Sequence, residues 1–148
     1  MLNTNNNNNI SMISEVYNNS STVSINWLQH THVTNNFELS NQYVSICQQH
    51  KQEKKWVLFI NPEEHSIEQL AQTHGIDVSK ILMVNYKNTS STRAKIALKQ
   101  ITSVLSKGNC AAVILSNSLF EADEIAQLER SAKRGKTHCF LVKQCQLH

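Results

Sequence analysis

The sequence predicts an α/β fold built on a mostly parallel sheet. From Lys54 onward, short apolar runs alternate with amphipathic helical segments. Gly and Pro are rare, with three and one in 148 residues, so long regular elements are expected rather than many tight turns. Strands that alternate with helices are joined by right-handed crossovers, which makes neighbouring strands parallel.

Four apolar runs are predicted strands, and two further segments are less regular. The run CAAVIL is almost entirely apolar, which is typical of a strand covered on both faces. Ser11–Tyr17 alternates weakly and predicts an N-terminal strand that completes a layer or an edge. The stretch over 18–36 is polar and poorly patterned, with Trp27 as its one large anchor. The four strands are expected at residues 56–60, 81–86, 110–115 and 139–142.

Apolar residues at helical spacing predict four helices around these strands. Their limits follow from capping residues, since Ser with Gln or Glu three residues later favours a helix start and Gly favours a helix end. The helices are expected over 37–50, from Ser66 and Gln69 to Gly75, over 93–107 before Gly108, and from Ser118 and Glu121 to Gly135.

Composition divides the chain into a tail and one domain. Residues 1–11 are rich in asparagine and are expected to be disordered, which leaves 12–148 as a single domain. The net charge is +3, and all 14 Lys and Arg lie between Lys51 and Lys143. A modestly basic body suits an acidic protein or nucleic acid, although a merely solvated surface explains it as well.

No motif for catalysis, nucleotide or metal is found. The junction Asn61–Glu64 lacks the glycines and the lysine of a phosphate loop. The four cysteines have no metal spacing, and His30 and His32 lack partners at site spacing. Ser116 is not in a GxSxG elbow. We therefore expect a protein that is not an enzyme and needs no cofactor.

The location and the class of partner follow from what the sequence contains. No apolar run is long enough to span a membrane, and the N-terminus does not resemble a signal peptide. We interpret the four cysteines as reduced thiols, and reduced thiols indicate a cytoplasmic protein. Few aromatics accompany the basic residues, which makes nucleic acid an unlikely partner.

Several short motifs occur in order along the chain: ISEV at 13–16, KW.LF..P at 55–62, G...SK at 75–80, L..GN...VI at 105–114 and A..G at 132–135. Together they resemble the SulA family, the SOS-induced bacterial cell-division inhibitors. The resemblance implies a RecA-like fold that lacks the phosphate-binding loop. It also implies binding to the division GTPase FtsZ, which would block polymerisation and septum formation after DNA damage. A homodimer and degradation by Lon protease are further implications.

The resemblance also implies which residues bind the partner. Lys55 and Lys80 stand where the family has basic residues, and Ile60 where it has an aliphatic one. Leu70 stands where relatives can carry Trp. For Ile60 and Leu70 the alternative is plain core packing, and for Lys80 it is a solvated surface lysine. Leu147–His148 is the implied protease signal.

Two other functions remain open at this stage. A RecA-like accessory factor that acts on DNA or on a repair polymerase would use the basic body of the protein. A small-molecule enzyme with an unusual site is supported only by the α/β architecture, which is a weak argument because one fold serves many functions.

Overall fold

The computed structural model describes residues 25–86, 91–116 and 118–145. It has five strands and four α-helices in these ranges, with a short 3₁₀ turn at Val78–Lys80. In chain order the elements are β1 Leu28–Val33, α1 Asn36–Gln49, β2 Trp56–Ile60, α2 Glu64–Gln72, β3 Ile81–Val84, α3 Ser91–Lys107, β4 Cys110–Ser116, α4 Ala122–Gly135 and β5 His138–Gln144.

The strands form one sheet in the order β1-β5-β4-β2-β3, and every neighbouring pair is parallel. The predicted α/β class with a parallel sheet is therefore confirmed. All seven residues of the central strand β4 are buried, as the run CAAVIL predicted. A strand buried on both faces needs a covering layer on each side of the sheet.

Two helical layers supply this cover, and strand alternation divides the side chains between them. Val57 and Phe59 of β2 pack with α1 and α2, whereas Leu58 and Ile60 pack with α3 and α4. Successive side chains of a strand point to opposite faces, so β2 contributes to both cores. Each buried aliphatic or aromatic side chain stabilises the fold by about 1.5–3 kcal/mol.

Strand β1 is an element that the sequence pattern did not predict. Its end residues Leu28 and Val33 are buried, but the residues between them are polar and partly or largely exposed. Among the described strands β1 pairs only with β5, at one edge of the sheet. An edge strand tolerates such polar residues, so hydrophobic alternation is weak there. The predicted strand Ser11–Tyr17 and the tail 1–11 lie outside the described residues.

Helix α2 begins and ends earlier than its sequence signals predicted. Its N-cap is Glu63 rather than Ser66, because the Glu63 carboxylate accepts hydrogen bonds from the first turn. The helix ends at Gln72 with an extended Thr73, so Gly75 does not cap it. Gly75 instead adopts φ +87° in the loop beyond the helix.

Helix α4 also begins at a different cap. Glu121 and Glu124 form a reciprocal capping box, so Ser118 is not the cap. Gly135 is the last helical residue, and the left-handed position belongs to Lys136 with φ 54°. Sequence spacing located both helices but could not tell which of several polar residues would cap them.

Gly135 allows α3 and α4 to touch at their C-terminal ends. A Cβ atom built on Gly135 would lie 1.8 Å from the backbone oxygen of Leu105 in α3. Thr137, directly after α4, donates its hydroxyl to the same oxygen at 3.1 Å. The approach is therefore a backbone contact that only glycine permits.

We predict that Gly135→Ala lowers the free energy of unfolding by about 3 kcal/mol, because the added methyl group collides with backbone that cannot move aside. At an uncrowded helical position the same change would stabilise by up to about 1 kcal/mol. Urea denaturation of the two proteins shows directly whether Gly135→Ala raises or lowers the free energy of unfolding. Glu129→Ala, on the exposed side of α4, is the matched control and should change stability by less than about 0.5 kcal/mol. A more stable Gly135→Ala protein would contradict the close approach.

Candidate functional site

Asn61 occupies the junction that follows β2. It adopts a left-handed φ of 52°, which Asn tolerates better than most residues. Its backbone N–H donates to the Val84 oxygen at 2.8 Å, and its side-chain oxygen accepts from the Tyr86 N–H at 2.7 Å. These two bonds fix the ends of β2 and β3 together. They also end the β3 ladder at Val84, two residues before the predicted end.

The carboxylate of Glu63 lies at the N-terminal end of α2, where a bound phosphate would lie in a nucleotide-binding protein. It accepts from the His65 N–H at 2.9 Å, the Ser66 N–H at 2.8 Å and the Ser66 hydroxyl at 2.6 Å. Burial raises the pKa of the Glu63 carboxyl, but these hydrogen bonds outweigh it, so the pKa is lowered overall. In nucleotide-binding folds a phosphate accepts such bonds at the helix start. Here that position is already taken.

A buried hydroxyl pair lies beside this junction. The hydroxyls of Tyr43 and Ser116 are 2.6 Å apart, and the Glu63 N–H donates to the Tyr43 oxygen at 3.5 Å. Burial raises the pKa of Tyr43, and the bond with Ser116 opposes that rise. Neither hydroxyl faces solvent, since Tyr43 is 0% and Ser116 is 1% exposed. The pair stabilises the carboxyl ends of the sheet and offers no reachable nucleophile.

Two of the residues implied to bind a partner lie in the core. Ile60 packs in the layer of α3 and α4, and Leu70 packs in the layer of α1 and α2. They are only 3% and 1% exposed. They could affect a partner only indirectly, by determining the shape of the surface residues that pack over them. Their role in binding stays a prediction, and Leu147–His148 lies outside the described residues.

The other two, Lys55 and Lys80, meet at the amino ends of β2 and β3. Both are exposed and line one cavity. The Lys80 Nζ lies 5.4 Å from the centre of the Trp56 ring, over its face, a contact worth about 0.5–1 kcal/mol at an exposed site. We call Lys55, Trp56 and Lys80 the amino-edge surface.

Trp56 is the residue of this candidate site that the sequence did not single out. It was expected in a buried strand, yet it is 39% exposed. It is the first residue of β2 and directly follows Lys54 and Lys55. The two preceding lysines could have indicated that Trp56 is exposed, because charged residues directly before an apolar run mark the position where the chain enters the core.

The described residues contain little else that resembles a chemical site. In these ranges no three His, Cys, Asp or Glu side chains lie close enough to hold a metal ion. No described helix is long and apolar enough to cross a lipid bilayer. All four cysteines are free. His30 and His32 are exposed on the edge strand β1.

Comparison with known proteins identifies the fold and the family. Residues 34–139 match the family described as cell division inhibitor SulA. The crystal structure of SulA from Pseudomonas aeruginosa is similar, with a TM-score of 0.59 and 16% sequence identity. The match covers 80% of this chain and 98% of the Pseudomonas chain. No curated protein sequence matches this chain.

We predict that Glu63→Gln lowers the free energy of unfolding by about 1 kcal/mol at pH 7, because a charged cap on α2 is lost. The folded-state pKa of Glu63 is depressed below 4.5, so its stabilisation is present above that pH and lost as the pH falls through the folded pKa. The difference between the two proteins should therefore shrink in acid.

Urea denaturation at several pH values measures this difference. Glu68→Gln, exposed on the same helix, is the matched control and should change stability by less than about 0.5 kcal/mol. A difference between wild type and Glu63→Gln that stays constant below pH 4 would show that the carboxylate does not stabilise α2.

Proposed function

Because the chain belongs to the SulA family of cell division inhibitors, we propose that it binds FtsZ during the SOS response and withholds subunits from FtsZ polymers. Septum formation would then stop while DNA is damaged. The proposal needs no catalytic group, because occupying a polymer contact is sufficient. It places the protein in the cytoplasm, where it would meet FtsZ. The scaffold would be RecA-like, with its phosphate site filled by Glu63.

The observation that carries the choice of surface is Trp56 beneath Lys80. Tryptophan is enriched among the few residues that supply most of the binding energy in protein interfaces. A stable complex buries about 1,200–2,000 Å² in total, so residues around the amino-edge surface would contribute too. We assign Ile60 and Leu70 an indirect role, since Ile60 ends the strand that Trp56 begins and Leu70 packs in one core layer with Val57 of that strand.

Loss of GTPase activity would follow from loss of assembly, since assembly forms the FtsZ active site between subunits. The inhibitor would act near one-to-one and would not hydrolyse GTP itself. Its modestly basic body favours an acidic partner surface. Assembly of the inhibitor as a homodimer, implied by the resemblance, stays a prediction.

We predict that wild-type protein removes FtsZ from the pellet in a GTP-dependent sedimentation assay near equimolar amounts. Lys80→Glu should require at least about tenfold more protein, because it places a negative charge over the Trp56 ring and in a basic surface. Lys143→Glu makes the same charge change at the carboxyl end of β5, where Lys143 is also exposed. It should inhibit as wild type does.

FtsZ polymer that survives an excess of folded wild-type protein would contradict the proposed function. A shift of single-stranded DNA at low salt would then support the accessory factor instead. Equal inhibition by wild type and Lys80→Glu would contradict only the assigned surface.

We also propose that Leu147–His148 is read by Lon protease. Replacing both with Asp should slow degradation by purified Lon with ATP several-fold, because it removes the two side chains that the resemblance implies the protease reads. The substituted protein should still inhibit FtsZ, since the change lies away from the amino-edge surface in sequence. Unchanged degradation would place the signal elsewhere in the chain.

A further inference from the structure

A cavity of about 150 Å³ opens beside the amino-edge surface. Its walls come from the end of α1, the loop before β2 and the segment before β3. Val57, Ile76 and Ile81 provide apolar wall, and their side chains are buried or half-buried. A single water occupies about 30 Å³ in the liquid, so the space suits a small polar group with part of its stem.

Positive charge dominates the rim of this cavity. Lys51, Lys54, Lys55 and Lys80 all line it, and all four are exposed. Within the described part of the chain none of them forms an ion pair with a carboxylate, because the one ion pair found there joins His50 and Glu53. Four cations so close together repel one another. An anion between them would relieve that repulsion.

The two acids in the cavity wall relieve only part of it, since the charge of Lys80 is among the causes that lower the pKa of Asp77. Glu53 binds His50 Nδ1 at 2.5 Å. Asp77 accepts from the Ser79 N–H at 3.1 Å and the Ser79 hydroxyl at 2.5 Å, and these bonds lower the pKa of Asp77. Both carboxylates are therefore held by local partners. Four positive and two negative side chains leave the rim with net positive charge.

His50 is a buried part of the cavity wall and does not itself indicate an occupant. It is 6% exposed, and its ring centre lies 5.0 Å from that of His138 and 6.2 Å from that of Phe140. Its Nε2 has no hydrogen-bond partner among the described residues, but this atom is shielded from solvent and so is not open to a group in the cavity. Cys47 is not an alternative reactive group, because burial raises the pKa of its thiol to about 11.

Helix ends explain only part of the charge. Lys51 follows α1 closely, where a cation is favoured by the negative end of the helix dipole. Lys54 and Lys55 lie beyond that last turn, and Lys80 lies over Trp56. The cluster therefore exceeds what the dipole of α1 requires.

We propose that this cavity receives the carboxylate of an acidic side chain from FtsZ, in a complex whose anchor is Trp56. The inference rests on the proposed function and adds the chemistry that the site recognises. The carboxylate contacts the lysine ammonium groups, and the methylene stem packs against Val57 and Ile81. Charge complementarity of this kind fixes the register of a complex and speeds association.

The test is the affinity of purified FtsZ for the full chain and its variants, measured by fluorescence anisotropy. Lys54 is the informative position, because it lines the cavity without the contact that Lys80 makes with Trp56. Lys54→Glu should weaken binding by at least about tenfold and Lys54→Gln by less. Lys143→Glu, with the same charge change at the other end of the sheet, should bind as wild type does. A single acid-to-Lys change in FtsZ should restore binding to Lys54→Glu.

The possible failures are distinguishable. If wild type does not bind FtsZ, the proposed function itself is wrong. If wild type binds but Lys54→Glu matches Lys143→Glu, the cavity does not receive an FtsZ carboxylate. Inorganic phosphate that raises the Tm of the isolated wild type but not of Lys54→Glu, with FtsZ binding equal in both, would show that the cavity takes a free anion. That result would also overturn the proposal.

Discussion

The complete burial of β4 is the constraint on which the rest of the structure depends. Its seven residues are shielded on both faces, so α1 and α2 must cover one side of the sheet and α3 and α4 the other. The Gly135 contact lets the second pair approach closely enough to form one layer. With both faces covered, a partner can reach the sheet only at its two ends or along its outer strands.

The carboxyl end, where ligands usually bind in such sheets, is closed from within beside β2 and β3, whereas a cavity of about 180 Å³ remains beside the ends of β4 and β5. Glu63 satisfies the first turn of α2, Asn61 ties β2 to the end of β3, and the pair Tyr43 and Ser116 fills the space between. The amino end differs, because Trp56 and several exposed lysines lie there, and none of these lysines forms an ion pair within the described part of the chain. The exposed tryptophan and lysines thus lie at the end of the sheet opposite to the one where ligands usually bind in parallel α/β sheets.

The sequence identified the parts of the fold that repeat and are buried. The runs that form β2 and β4 consist almost entirely of apolar residues, which must be buried, so the positions of these strands were predictable. Strand β1 was not, because His30 and His32 face solvent at a sheet edge and dilute the apolar alternation. The caps Glu63 and Glu121 were missed for another reason. Several polar residues precede each helix, and only the backbone geometry decides which one reaches it.

The candidate site was predicted in part. Resemblance singled out Lys55 and Lys80, and the structure places both at one cavity. Ile60 and Leu70 were singled out on the same basis, yet both are core residues. A residue that matters to a family can act by packing, and sequence alone does not separate the two roles. Trp56 was overlooked because an apolar run was treated as uniformly buried, although its first residue lies at the end of the strand.

Lysine footprinting tests the central claim most directly. The protein is acetylated alone and in complex with FtsZ, and the extent of modification at each lysine is read by mass spectrometry. The account predicts that Lys54, Lys55 and Lys80 become protected in the complex while Lys143 and Lys99 stay as reactive as before. Protection of Lys143 or Lys99, with Lys54, Lys55 and Lys80 still fully reactive, would place FtsZ elsewhere and contradict the account.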